Sequence, residues 1–234
     1  MRLAVATVVL LGVSFSAFAH FVFVYVSSEA GEARLVFGHA AAPDPKTPAT
    51  RAEKTLLTLR SVNGQDYKLV VEKGAGNYYR ALLKEHQPRL IFGVTEAAVT
   101  QRGDNPPMLT WYYPKVIVGD PFAAGNAVGE ALPMEIVPLR ADGGVRFQVR
   151  RQGKTVADAE VSVDLSEKAE KGEVSSTSVK TDTQGLTPIY KEGGRYCVAA
   201  RVTERRSGEW AGKKYEAVRH IATLVCDVPP LNGR

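Results

Sequence analysis

Cysteine and histidine are scarce in this chain: its 234 residues include two Cys and four His. Two thiols without CxxC spacing exclude a multi-cysteine zinc site and a disulfide-dense scaffold. No GxSxG elbow, HExxH pair, glycine-rich phosphate loop or Cys-His-Asn set occurs, and Gly74-Ala75-Gly76 is too short to cradle a phosphate. The chain is therefore not read as an enzyme. Runs of one charge sign are also missing. The formal net charge is +5, yet Lys and Arg alternate with Asp and Glu, and Arg150-Arg151, Arg205-Arg206 and Lys213-Lys214 each have acidic residues nearby. These doublets read as solvated strand ends, so no nucleic-acid partner is expected.

What is present begins with a leader. Arg2, the apolar run Leu3–Val13 and the small-residue site Ala17-Phe18-Ala19 form the three parts of an export signal, with cleavage expected before His20. Residues 1–19 are thus read as a signal peptide. Cleavage removes Arg2 and no acidic residue. No later stretch reaches the roughly 20 apolar residues of a spanning helix, so a soluble periplasmic or secreted product without a transmembrane segment is expected.

Cleavage at that point would make His20 a two-point ligand, offering its α-amino nitrogen and ring Nδ1 to one ion. Both groups lose their protons near neutral pH, so a metal can displace them at modest cost. An ordinary terminal His is the bland alternative. The motif with His in third position is absent, because that place holds Val22.

The remainder reads as strand. Phe21–Val26 is β-branched and aromatic, and Ala33–Gly38, Leu56–Val62, Tyr67–Glu72, Tyr78–Leu83, Leu90–Val94 and Met108–Val118 follow between Gly, Pro, Asn and Asp clusters. Only Pro48–Lys54 suggests a short helix. Small residues over 119–132 read as a linker. Beyond it come Met134–Leu139, Val145–Arg151, Ala159–Leu165, Val174–Thr181, Leu186–Tyr190, Arg195–Thr203 and Tyr215–Val228. Asp182 and Gly185 mark a hairpin turn in this series. The expectation is an all-β protein of two antiparallel β-sandwiches, residues 20–118 and 133–229, with a tail over 230–234. Seven strands in about a hundred residues make the second one immunoglobulin-like or transthyretin-like.

Cys197 and Cys226 lie in two strand runs that can pair as a wide hairpin, and in an exported protein a cross-strand disulfide is expected. Among the other histidines, His39 ends the second strand at a Pro-rich loop, where pairing with the first strand brings it near the N-terminus. His220 sits inside the last strand, where a structural role competes with ligation. His86 reads as a turn residue. One further His beside His20 gives three nitrogens, a set suited to copper(II) and also to nickel or zinc. Thr110-Trp111-Tyr112-Tyr113-Pro114 is near enough in the expected fold to supply a phenol, although aromatic packing is the stronger reading.

Several segments resemble a known family. Glu135–Leu139, Val145–Arg151, Gly153–Val161, Lys180–Gly185, Gly194-Arg195-Tyr196 and Val218–Leu224, with His20–Val24 after the leader, are similar to an uncharacterised exported family often labelled the nickel-uptake periplasmic component, associated with nickel and cobalt transport. The resemblance spans nearly the whole chain after the leader. It implies an exported β-sandwich protein with a role in metal uptake or delivery, with His20 and His220 at the family's His positions. Relatives carry a His before Pro-Lys, where this chain has Tyr113-Pro114-Lys115.

Three readings follow. The first is an exported protein that holds copper, nickel or cobalt through His20 with His39 or His220, for uptake, delivery or buffering, with a metal transporter or other envelope protein as partner. The second is a metal-free binding or scaffolding module. The third, a lesser alternative, is a copper-dependent oxidative enzyme, for which no substrate groove is legible.

Overall fold

The computed structural model describes residues 20–83, 87–101, 103–166 and 174–230. Residues 1–19, expected as a leader, and His86 lie outside the described residues. Fifteen strands form, with two short 3-10 turns, Ala49–Ala52 and Gly129–Ala131, and no α-helix among the described residues. The helix expected over Pro48–Lys54 is reduced to the first of those turns. No described helix is long and apolar enough to cross a membrane.

In the first half the strands are β1 (Phe21–Ser27), β2 (Glu32–Gly38), β3 (Thr55–Ser61), β4 (Asp66–Leu69), β5 (Glu72–Lys73), β6 (Tyr79–Leu82), β7 (Pro88–Thr100) and β8 (Met108–Ile117). The second half adds β9 (Met134–Ala141), β10 (Gly144–Arg151), β11 (Lys154–Thr155), β12 (Glu160–Ser166), β13 (Val174–Lys180), β14 (Gly194–Trp210) and β15 (Lys213–Val228). Leu186–Tyr190, expected as a strand, makes only isolated bridges to β10, from Tyr190 to Val145 and from Leu186 to Gln148.

The two sandwiches share their middle layer. An eight-stranded sheet runs in the order β13-β12-β14-β15-β8-β7-β3-β4, joined at its centre by the parallel pair β8–β15. Every other pairing in it is antiparallel. On one face lies the sheet β1-β2-β6-β5, where Phe23, Leu35, Leu57, Leu59, Ile91 and Ile221 share a core. On the other lies β11-β10-β9, and Met134, Ile136, Phe147, Val163, Tyr196 and Leu224 form a second core. Side chains alternate across a strand, so central strands must be apolar on both faces. This explains why all of Ile221–Cys226 is buried. Tyr196 also sends its hydroxyl back to the Glu192 carbonyl at 2.6 Å, the arrangement of a tyrosine corner.

The expected linker, 119–132, is packed into this frame. Asn126, Val128 and Leu132 are buried, and the Glu135 carboxylate accepts the backbone N–H groups of Val128 and Gly129 at 2.9 and 3.0 Å. Lys115 is 1% exposed and donates to Glu135 at 2.7 Å and to the Asn126 carbonyl at 3.2 Å. Composition alone read this segment as loose, but a buried ion pair between the consecutive strands β8 and β9 fastens it.

The expected disulfide is corrected by the register. Cys197 and Cys226 are both free and buried. The β14–β15 hairpin closes tightly at Ala211-Gly212, both at positive φ, with Trp210 opposite Lys213. Continued unbroken, that register would set Cys197 opposite Cys226. A bulge intervenes, in which Arg206 and Ser207 face Glu216 alone, so that Cys197 pairs with Val225 and Cys226 with Tyr196. A one-residue slip sends a side chain to the other face. Cys197 therefore joins the core under β1 and β2, and Cys226 the core under β9 and β10. Burial raises both thiols, Cys197 to about 11.

Candidate metal centre

The β1–β2 hairpin turns at Gly31, where φ is +60°, and its register ends with Phe21 opposite Gly38. One step further along each strand are His20 and His39. Their rings lie 4.1 Å apart between centroids, so the pairing that the sequence suggested for His39 is present. The chain then folds back over Gly38: a Cβ there would meet the Ala42 carbonyl oxygen at 3.0 Å and the Asp44 Cβ at 3.7 Å. Glycine permits this close return. It carries Asp44 to His20.

Asp44 Oδ2 lies 2.6 Å from His20 Nε2, and the Thr47 hydroxyl lies 2.9 Å from the same nitrogen. Donor atoms of His20, His39 and Asp44 all lie within 4.8 Å of one another, and solvent reaches all three residues in part. The Lys46 N–H, donating to Asp44 Oδ1 at 2.8 Å, and the His20 ring hold the Asp44 carboxyl down at about 2. Asn77, just ahead of β6, fixes the loop from beneath. Its amide donates to the Asp44 carbonyl and, at 2.7 Å, to the Thr47 carbonyl, while its Oδ1 accepts the Ala49 N–H at 2.9 Å. Phe37 packs 5.6 Å from the His20 ring and meets Tyr112 edge-on at 6.1 Å, so a phenol stands one ring removed from the histidines.

The eight-stranded sheet supplies a neighbour on the face that β1 and β2 cover. Asp164 on β12 is 8% exposed, raised by burial and hydrogen-bonded by Ser176, with His39 acting on it electrostatically in the opposite direction. Next to it in register is Cys197, whose sulfur takes a hydrogen bond from the Ala41 backbone. The loop after His39 is thus docked on β12 and β14.

His220 does not join this site. It lies on the same face of β15 as Ala222, Leu224 and Cys226, whereas β1 and β2 pack against the face of Ile221 and Val225. Its Nδ1 meets the Tyr113 hydroxyl at 2.8 Å, and its Nε2 lies 3.3 Å from Arg151 and 3.4 Å from Glu204. Burial first, and the Arg151 charge second, hold its imidazole below the ordinary range. The position at which relatives were expected to carry a His, Tyr113, belongs to this cluster and not to His20.

Two imidazoles beside a carboxylate suit a divalent transition metal, since imidazole serves Cu, Ni and Zn and the carboxylate charge favours a cation. Sequence reasoning found His20 and His39. It missed Asp44, Thr47 and Asn77; the Asp within five residues of His39, set between Pro43 and Pro45, was the available signal.

No family model matches the chain, and no curated protein matches it. Among solved structures it is similar to a tetra-tandem repeat in the extending region of a large adhesion protein, at 13% identity and a TM-score of 0.24. That match covers 89% of this chain, which spans 50% of the other chain's length. A likeness at this level carries no functional argument.

Proposed function

We propose that this protein is an exported, non-enzymatic carrier or buffer of a divalent transition metal, copper, nickel or cobalt, held by His20 and His39 with Asp44 beside them. The observation that supports this reading is the convergence of His20, His39 and Asp44 donors within 4.8 Å at the open end of the β1–β2 hairpin. Solvent access favours exchange of the ion over a permanent structural role. The export expectation adds a further donor, because removal of residues 1–19 frees the α-amine of His20. An envelope transporter of the kind implied by the family resemblance would then receive the ion.

Calorimetric titration of the chain beginning at His20 with copper(II), nickel(II) and cobalt(II) tests the proposal. At least one ion is expected to bind at one per chain, and His39→Ala is expected to lose it. Absence of binding by all three ions, or binding indifferent to His39→Ala, contradicts it.

A further inference from the structure

The hydrogen bonds around His20 determine which of its nitrogens faces a ligand. An ionised carboxylate can only accept, and the other oxygen of Asp44, Oδ1, already takes the Lys46 N–H at 2.8 Å. The partner of Oδ2, His20 Nε2, must therefore carry the proton of the 2.6 Å contact. In a neutral imidazole the other nitrogen then holds the lone pair. That nitrogen is Nδ1, since the ring's side-chain contacts to Asp44 and Thr47 are both made at Nε2. It is also the ring nitrogen closer along the covalent chain to the α-nitrogen of the same residue.

We infer that Asp44, Thr47 and Asn77 form a cradle that locks His20 in its Nε2–H tautomer and reserves Nδ1, with the α-amine freed by leader removal, for the ion that His39 completes. This rests on the metal reading above and refines it. Asp44 is then a positioning residue, the carboxylate partner that metal-bound histidines commonly carry on their second nitrogen. Thr47 gives the same ring nitrogen a second neighbour, and Asn77 holds both backbone carbonyls of the loop that presents them. Retention of the leader converts the α-amine to an amide, so a chain still carrying residues 1–19 lacks one donor. Metal loading is thereby tied to export.

The inference is tested in two stages on the chain beginning at His20. Long-range proton–nitrogen NMR of the metal-free protein is expected to show the Nε2–H tautomer at His20, reversed in Asp44→Asn, whose one amide oxygen stays with the Lys46 N–H and whose NH2 then faces Nε2. A dominant Nδ1–H tautomer in the unsubstituted protein overturns the inference while leaving the metal reading intact. Copper(II) titration followed by electron paramagnetic resonance comes second. One extra Ala before His20 is expected to weaken binding by at least about a hundredfold and to remove one nitrogen from the spectrum. Asp44→Ala is expected to weaken it by roughly 10–100-fold with the donor set unchanged. An unaltered affinity in the Ala-extended chain, together with a changed donor set in Asp44→Ala, makes Asp44 a ligand and overturns the proposal. Failure of the unextended chain to bind copper(II), nickel(II) or cobalt(II) overturns both readings.

Discussion

The two faces of the wide central sheet each carry a histidine cluster, and they are opposites. On the β1–β2 side, His20 and His39 stand at a solvent-reached hairpin end beside an acidic residue. On the β9–β10 side, His220 is 7% exposed and saturated by Tyr113, with Arg151 and Glu204 at its other nitrogen. A guanidinium beside an imidazole repels a metal cation; a carboxylate attracts one. Residue type alone therefore does not make a ligand. The same division holds for charge: Lys115 and Glu135 neutralise each other inside the β9–β10 side, whereas Asp44 points toward solvent-reached donors.

If the faces are divided in this way, substitutions on one should change stability and on the other affinity. The largest effect is expected from Lys115→Met, which leaves the Glu135 carboxylate buried without its partner and should cost about 3–5 kcal/mol in urea unfolding. Metal affinity should not change. Adding Glu135→Gln should recover part of the loss, because the neutral amide removes the unpaired charge and keeps one acceptor for the Val128 and Gly129 N–H groups. Next, His39→Ala should reduce metal affinity beyond the roughly 10–100-fold of an outer partner, with unfolding shifted by no more than about 0.5 kcal/mol. His220→Asn reverses the pattern: it should leave calorimetric affinity unchanged and lose about 1–3 kcal/mol by stranding the Tyr113 hydroxyl.

Acid sharpens the contrast further. Because the folded state depresses His220, the unfolded chain binds its proton first, and stability rises with pH across that window. The contribution is complete above the unfolded value near 6.5 and is lost as pH falls from there through the folded value. A thermal melt series should therefore decline in that range, and His220→Gln should flatten it. Asp44, held at about 2, makes its contribution above the ordinary carboxylate range and loses it only as pH falls toward 2. The smallest effect concerns the thiols. Reductant should leave the melting temperature unchanged, and a thiol-reactive dye should label two cysteines in denaturant and none in the folded protein.

Most strands were legible because hydrophobic runs and turn residues lie in the sequence itself. So was the approach of His39 to His20, since it needed only one local hairpin. The failures share a different origin. Cys197 and Cys226 depended on a bulge at Arg206-Ser207 that leaves no compositional mark yet reverses a face. His220 was misassigned because alternation identifies two faces without saying which one β1 covers. Lys115 and Glu135, read separately, gave no hint that they pair and close the 119–132 segment. Asp44 reaches His20 through a fold-back over Gly38 stabilised by Asn77, whose bonds span about thirty residues. Non-local geometry of this kind follows from the assembled sheets.

Native mass spectrometry of the protein recovered from the envelope of an expressing cell tests the central claim most directly, because it reads the first residue and the bound ion together. A polypeptide starting at His20 and carrying one copper, nickel or cobalt ion is expected, with the ion absent from His39→Ala and kept in His220→Asn. A different first residue, or an ion that survives His39→Ala and disappears with His220→Asn, would contradict the account.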